Sequence, residues 1–492
     1  MIPTLFWSTD AIRKTVSAQL DPERRSQLGQ FMTPSPIANF MASLFHKTAS
    51  HVRLLDPGAG IGSLSEAFAK RYFSESGEGK LSITTCEIDD FLSEYLDANL
   101  MNIITDGNKN GTEVAVELKD DDFVTRAVRM IQNGERPFTH AILNPPYRKL
   151  PADSTHRKAL SSVGIEASNL YVAFLALAVS LVNESGEVVA IIPRSFCNGP
   201  YFRHFRHWLL ERVAIQHIHI FERRNKAFGE DGVLQENVIL HLKCDMPQEK
   251  VTISSSTDAT FSDLTTRSAD FAEIVNPNDK DKFIRIPMTT ESFNHFSLNL
   301  SDLKLEVATG PIVDFRVKEH CLDKPQSTSS PLLYAHHFSH EGVIWPRDHK
   351  KPNAIKITPS TEKLLMPKGW YVVVKRFSAK EEPRRVVAYL VNPEQLPHMQ
   401  YGFENHLNVF HSKRQGLESD VARGLTVYLN SSIVDSYFRT FSGHTQVNAT
   451  DLRSMYFPSR SILKSLGKTV SKKQVRSQEE IDTIVESYVK KK

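Results

Sequence analysis

Ala141-Ile142-Leu143-Asn144-Pro145-Pro146-Tyr147 decides how the rest of this chain is read. Residues 138–143 are a short, mostly apolar run that predicts a buried parallel strand. The run stops at an amide side chain, two prolines and an aromatic ring. Pro145 and Pro146 each lock φ and lack an N–H, so a strand ladder cannot continue through them. The expected product is a stiff loop at a strand's carboxyl end, where open α/β sheets place their ligands. Asn144 and Tyr147 in such a loop suit a planar, amine-bearing group held between a hydrogen-bond acceptor and a ring face. A strand stop with no further role is the plain alternative.

Upstream, residues 51–55 predict a strand that enters Asp56-Pro57-Gly58-Ala59-Gly60-Ile61-Gly62, ahead of a helix over 64–73. Three alternate glycines make a loop that a nucleoside-type cofactor can approach closely. The spacing is not the dinucleotide G-x-G-x-x-G, and no G-K-[ST] follows, which excludes a P-loop. A strand over 81–86 ends at Glu87-Ile88-Asp89, an acid placed to accept hydrogen bonds from ribose hydroxyls. Residues 99–111 are polar and rich in Asn and Gly, and read as a loop insertion. After a third strand, 113–118, Asp122 and Phe123 set an acid beside an aromatic, a pair fit to hold an adenine amino group and cover its face. Residues 1–28 read as an amphipathic helical lead-in, with Ile12, Val16 and Leu20 at helical spacing. Thr33-Pro34-Ser35-Pro36 reads as a helix start, with Thr33 and Ser35 as cap residues and free N–H groups that attract a carboxylate. Taken singly, these segments are also compatible with a bare glycine turn, a solvated acidic turn and a simply capped helix.

Downstream, residues 148–168 read as a polar, lid-like loop, followed by an apolar helix over 170–182. That helix is too short for a bilayer span, which needs about 20 residues. Strands over 187–193, 215–221 and 237–242 complete the alternation, and residues 222–236 between the last two carry Phe228. The whole predicts an α/β fold, a doubly wound, mostly parallel seven-stranded sheet over residues 1–247. A polar stretch without a dominant period, 248–302, reads as a connector. A second, mixed α+β domain is expected over 303–458, and a charged, peripheral helical tail over 459–492.

Basic residues of the second domain cluster among aromatics and histidines: Arg347, Lys350 and Lys351; Lys375, Arg376, Arg384 and Arg385; Lys413 and Arg414. Such clusters fit phosphate contacts and base readout, although a solvated basic face has the same composition. The formal net charge is only +3 over 492 residues, so any polyanion surface must be local. Cys86, Cys197, Cys244 and Cys321 are far apart, so neither a disulfide framework nor a zinc cluster is expected. With no signal-peptide pattern, this fits a reducing cytoplasm.

In order and in residues, these motifs resemble the γ-class adenine-N6 DNA methyltransferases of restriction–modification systems. The likeness rests on Thr33-Pro34, Asp56-Pro57-Gly58-Ala59-Gly60, Glu87-Ile88-Asp89, Asp122-Phe123, Asn144-Pro145-Pro146-Tyr147 and Asn169-Leu170-Tyr171, and covers roughly the first half of the chain. It implies a class I, Rossmann-like methyltransferase domain that uses S-adenosylmethionine, followed by a target-recognition domain. Asn144 and the Pro145 carbonyl would accept the two N6 protons of an adenine flipped out of double-stranded DNA. Tyr147 and Phe228 would stack on that base, with Pro146 stiffening the loop. Thr33 would meet the methionine carboxylate, the Asp56–Gly60 loop the methionine, Glu87 and Ile88 the ribose side, and Asp122 and Phe123 the adenine. No metal is required, and a separate cognate endonuclease would cut the same site. The motif alone also permits a protein-glutamine or RNA adenine methyltransferase, or a non-catalytic DNA-binding protein with a vestigial cofactor fold. The basic C-terminal half favours DNA, and the intact motifs favour catalysis.

Overall fold

The switch from strand to loop at Asn144 sits at the centre of a nine-stranded sheet in the computed structural model. The structure describes residues 9–20, 31–46, 50–76, 79–222, 236–288, 298–339, 342–378, 382–396, 398–442, 445–472 and 477–489, in two units divided at residues 288 and 289. Phe228, expected against the target base, lies outside the described residues.

The first unit begins with α1 (Thr9–Gln19) and α2 (Ser35–Ser43), then alternates β1 (His51–Pro57), α3 (Ser63–Ser76), β2 (Gly79–Cys86), α4 (Asp90–Lys109), β3 (Thr112–Lys119), α5 (Phe123–Gln132) and β4 (Phe138–Leu143). It continues through α6 (Thr155–Ser162), α7 (Leu170–Leu181), β5 (Val182–Pro193), α8 (Arg203–Leu210), β6 (Val213–Phe221), β7 (Asn237–Cys244), β8 (Val251–Ser256) and β9 (Thr265–Ala269). The strand order is β3-β2-β1-β4-β5-β7-β6-β8-β9. β1 to β5 pair in parallel, and β7 is antiparallel to both β5 and β6. The order reverses between β1 and β4, which opens a crevice beyond their carboxyl ends. The glycine loop leaves β1 there, and Asn144 leaves β4.

Each face of the sheet has its own apolar layer. Val188, Ala190 and Ile192 of β5 face α5, α7 and α8, while Val189 and Ile191 face α2, α3 and α4. Strands buried on both faces read as continuous apolar runs, which is why β4 and β5 were conspicuous. α7 is apolar on every side and buried almost throughout. Among the described residues no helix is long and apolar enough to cross a membrane.

Four expectations need correction. The sheet has nine described strands rather than seven, because β8 and β9 come from the presumed connector, and the unit runs to Met288. Residues 99–111 are mostly helix, the second half of α4. Leu96, Leu100, Ile103 and Gly107 share its inner face, and at Gly107 a Cβ would lie 2.3 Å from Val114. Asn99 is held there by donating to the Ile61 carbonyl at 2.9 Å. The lid-like stretch contains α6, capped by Ser154, whose hydroxyl accepts from the Arg157 N–H.

The fourth correction concerns the C-terminal tail of the second unit, which forms two helices, Arg460–Lys472 and Gln478–Val489. The first packs so closely on helix Ser419–Leu429 that a Cβ at Gly467 would lie 1.8 Å from the Asp420 carbonyl oxygen. Leu463, Leu466 and Val485 are buried, so the tail belongs to the unit's core. The unit also holds a four-stranded antiparallel sheet (Glu306–Thr309, Leu407–His411, Tyr371–Lys375, Ala388–Val391) and a five-stranded mixed one.

Candidate active site

Two loops and one extended segment surround a cavity of about 220 Å³ at the reversal of strand order. The glycine loop supplies Gly58, Ala59 and Gly60, with Gly58 and Gly60 at φ of 73° and 58°. Side chains are strained in that region, and glycine adopts it freely. The loop is stitched to β2, since the Gly58 and Ala59 amides donate to the Cys86 carbonyl at 2.8 and 3.0 Å. Glu87 continues the stitch: Oε2 accepts from the Gly60 amide at 2.9 Å, and Oε1 from the Ile88 and Asp89 amides at 3.0 and 2.9 Å. Burial raises the Glu87 pKa against the pull of these amides. The carboxylate therefore shapes the cavity as well as lining it.

Asp56 plays a different part from the one expected. It is fully buried, does not line the cavity, and its Oδ2 accepts from the Ser65 amide and hydroxyl at 3.2 and 2.7 Å. Burial first, with Glu87's charge adding, lifts its pKa to about 7. Asp56 anchors the start of α3 and so the exit of the glycine loop. Pro57 also lies off the cavity lining.

Across the cavity, Asp122 and Phe123 start α5. Asp122 caps the helix through Thr125, and its other oxygen meets His156 Nε2 at 3.2 Å. Phe123 packs on Phe174 of α7, with centroids 4.9 Å apart. Both rings line the cavity together with Ile88, Leu170 and His156.

Asn144 closes the ring of residues, and its amide has one possible orientation. Nδ2 donates to the Phe31 carbonyl at 2.8 Å and to Thr33 Oγ1 at 3.0 Å. A carbonyl can only accept, so nitrogen must face Phe31 and Oδ1 must face the other way. Oδ1 receives the Tyr147 hydroxyl at 3.1 Å, which also has the Ile191 carbonyl within reach at 3.3 Å. Burial holds the Tyr147 phenol far above its ordinary pKa, so it stays a neutral donor. Its ring lies between Phe31 (6.0 Å, 35°) and Tyr171 (6.2 Å, 84°). Past Tyr147, the backbone joins the start of α7 through Leu150 N to the Ser168 carbonyl (2.8 Å) and Leu170 N to the Arg148 carbonyl (2.7 Å).

The segment before α2 also differs from expectation. Pro34 occupies the cap position, and no side chain caps the helix. Thr33 turns its hydroxyl to Asn144 instead, and the Ser35 amide is taken by the Asp10 carboxylate at 3.3 Å. The anion expected at this helix start is therefore, in part, one of the protein's own.

The structure thus brings Thr33, Gly58, Ala59, Gly60, Glu87, Ile88, Asp122, Phe123, Asn144 and Pro146 to one cavity. Phe31 holds Asn144 through its carbonyl, a role that no side-chain motif marks, and Phe174 lies within a helix that reads as plain core. In the second unit, Arg385 is 1% exposed, its amide is held by Asp435, and its guanidinium lies over the Phe438 ring. It is a core residue and is removed from the expected DNA contacts. Arg347, Arg376, Arg384 and Arg414 donate to main-chain carbonyls of their own unit, and Lys351 pairs with Asp314. Lys350, Lys375 and Lys413 have no side-chain partner among the described residues, and the first and last are exposed.

Comparison with known proteins agrees with this geometry. The family described as Eco57I restriction-modification methylase matches residues 64–228. The chain is 49% identical to the type II methyltransferase M.BsuBI of Bacillus subtilis, over 94% of this chain and 93% of that protein. It is 41% identical to the type II methyltransferase M.PstI of Providencia stuartii, with the same coverage. Among solved structures, the type IIL restriction-modification enzyme MmeI in complex with DNA aligns over 99% of this chain and 76% of its own, at 11% identity and a TM-score of 0.54. That likeness concerns the fold alone, whereas near-full-length identity of 41–49% establishes kinship: the chain belongs to the type II methyltransferases of restriction–modification systems.

Proposed function

We propose that this protein transfers a methyl group from S-adenosylmethionine to the N6 amino group of an adenine at a specific site in double-stranded DNA. It would act as the modification partner of a separate endonuclease. The observation that carries this reading is the forced orientation of Asn144, whose Oδ1 points away from Phe31 as an acceptor at the cofactor-sized cavity.

The residues fit the cofactor. The cavity offers main chain without side chains at Gly58 and Gly60, carboxylates at Glu87 and Asp122, and aromatic walls at Phe123 and Phe174. When bound, S-adenosylmethionine supplies a methyl group already activated by its sulfonium. Thr33 Oγ1 accepts from Asn144, so its single O–H remains for the methionine carboxylate. The Gly58–Gly60 backbone would pass the methionine, Glu87 and Ile88 would hold the ribose, and Asp122 and Phe123 the adenine ring.

The acceptor side follows from adenine chemistry. The N6 lone pair is delocalised into the ring and is a poor nucleophile. Asn144 Oδ1 and the Pro145 carbonyl would accept the two N6 protons and draw them out of the ring plane, which would localise the lone pair on nitrogen; the sulfur–methyl bond would break as the nitrogen–methyl bond forms, and one N6 proton would then leave to solvent. The stiffness of Pro145 and Pro146 makes this positioning rather than acid–base chemistry. Tyr147 would offer a ring face and Phe228 a second one, and the base must leave the duplex to reach them. The second unit, 289–492, would read the target sequence, with Lys350, Lys375 and Lys413 on phosphates.

The test is incubation with methyl-labelled S-adenosylmethionine and duplex DNA, followed by nucleoside analysis and sequencing of N6-methyladenine. Label on cytosine, or label taken up from parallel RNA or protein substrates and not from duplex DNA, would overturn the reading.

A further inference from the structure

Well away from the cavity, on the face of the sheet that carries α2, three side chains from separate segments converge. His46 lies just past α2, Glu187 is in β5, and His241 is in β7. Glu187 lies six residues (193 − 187) before the end of β5, roughly 20 Å along the strand from its carboxyl end. His46 Nδ1 lies 2.8 Å from Glu187 Oε1, and His241 Nε2 lies 2.8 Å from Glu187 Oε2. One donor atom from each residue falls within 4.8 Å of the others.

We propose that His46, Glu187 and His241 form a zinc-class divalent metal site that pins the end of α2 to the sheet. Two imidazoles and one carboxylate are a donor set zinc uses, with a water in the fourth position. Tetrahedral ligands at zinc lie about 3.3 Å apart, so atoms within 4.8 Å of one another close on an ion by moving up to about 1.5 Å. The exposures suit one open coordination position: Glu187 and His241 side chains are 9% and 3% exposed, and His46 is 55% exposed. Arg71, which donates to the carbonyls of Phe45 and His46, is itself neutralised by Glu75 at 2.8 Å. To ligate, each imidazole must present an unprotonated nitrogen toward Glu187, which a neutral ring does by carrying its proton on the far nitrogen.

The site would matter because of what α2 connects. Its amino end leads from Phe31 and Thr33, which orient Asn144, and its carboxyl end leads to His46. Nine helical residues span about 13 Å. A metal would fix one end of a strut whose other end holds the acceptor amide. That consequence rests on the methyltransferase reading, but the metal site does not.

The experiment uses full-length protein stripped with EDTA, dialysed, then titrated with Zn²⁺ by calorimetry, with bound metal counted by mass spectrometry. The expected result is one equivalent of Zn²⁺ and a raised Tm. His46→Gln, at a half-exposed position, should lose more affinity than the roughly 10–100-fold that outer-shell changes cost, with its metal-free Tm little changed. His241→Gln should lose it too. Absence of stoichiometric uptake would overturn the proposal. So would uptake unchanged in His46→Gln but lost in His336→Gln, which would place the ion at the stacked His336–His349 pair (centroids 3.7 Å apart). Failure of either kind leaves the proposed methyl transfer to be judged by its own assay.

Discussion

The two units use their polar side chains in opposite ways. In the first, Asn144 Nδ2 is fixed by the Phe31 carbonyl and Thr33 Oγ1, which leaves Oδ1 of Asn144 as an acceptor and the O–H of Thr33 as a donor. In the second, most of the cations that stand out in sequence are spent on the unit's own carbonyls and carboxylates. Reaction chemistry restricts which residue stands where, whereas composition does not separate a cation that holds a fold together from one that meets a phosphate.

The sharpest challenge to this contrast is Asn144→Ala. Methyl incorporation should fall by about 10²–10³-fold or more, as for other single groups that stabilise a transition state. Cofactor affinity, measured by calorimetry, should change only a few-fold. Turnover near wild type would mean that the leftover acceptor does nothing.

In the second unit the largest expected effect is on stability. Gly467→Ala drives a Cβ into the Asp420 carbonyl, and overpacking of this kind costs about 1–3 kcal/mol or more. Chemical denaturation should register that loss, while cofactor binding to the folded protein persists. An unaffected midpoint would return the tail to the periphery.

Next come the cations themselves. Replacing Lys350, Lys375 and Lys413 by Gln should weaken duplex binding and flatten its salt dependence by up to about 0.9 for each phosphate no longer neutralised. Arg385→Gln should destabilise the protein and leave the salt slope alone. If the two variants exchanged these outcomes, the division between structural and phosphate-facing cations would be reversed.

Tyr147→Phe should have a smaller effect. It removes a neutral hydrogen bond to Asn144 Oδ1, worth about 0.5–1.5 kcal/mol, so kcat should drop up to about tenfold while Tyr147→Ala drops it further. Equal loss in both variants would assign the hydroxyl, and not the ring, the main role.

The last test is a pH trend. Asp56 has a folded pKa of about 7 against about 3.9 unfolded, so the folded state keeps a proton that the unfolded state releases. Stability from this group is present below about pH 4 and lost as pH rises through 7. The Tm of Asp56→Asn relative to wild type should therefore climb between about pH 4 and 7, then level off, in melts across that range. A flat difference would show that Asp56 is charged throughout.

The same contrast explains what could be read from sequence. The glycine loop, the Glu87 tip and the Asn144 stop were legible because each breaks a strand pattern with residues that have few other uses. The second half of α4 was not, since Asn99, Asn102, Gly107 and Asn108 look like a loop until Leu96, Leu100 and Ile103 are seen facing the core. The tail reads as solvated because its charges outnumber the few positions, Leu463, Leu466 and Gly467, that seat it. The role of Phe31 was invisible because it is a backbone role. His46, Glu187 and His241 had no motif, being 141 and 54 positions apart in sequence.

The Asn144–Pro145 bond has one more consequence, for the durability of the enzyme. Asparagine ages to aspartate when the backbone nitrogen of the next residue attacks the side-chain amide and closes a five-membered ring. Pro145 has no N–H to lose, so that route is closed at this position. An aspartate at 144 would turn an oxygen toward the Phe31 carbonyl, which has nothing to donate, and the acceptor would lose its bearing. The residue that halts strand β4 thereby also protects the neighbouring amide from spontaneous decay.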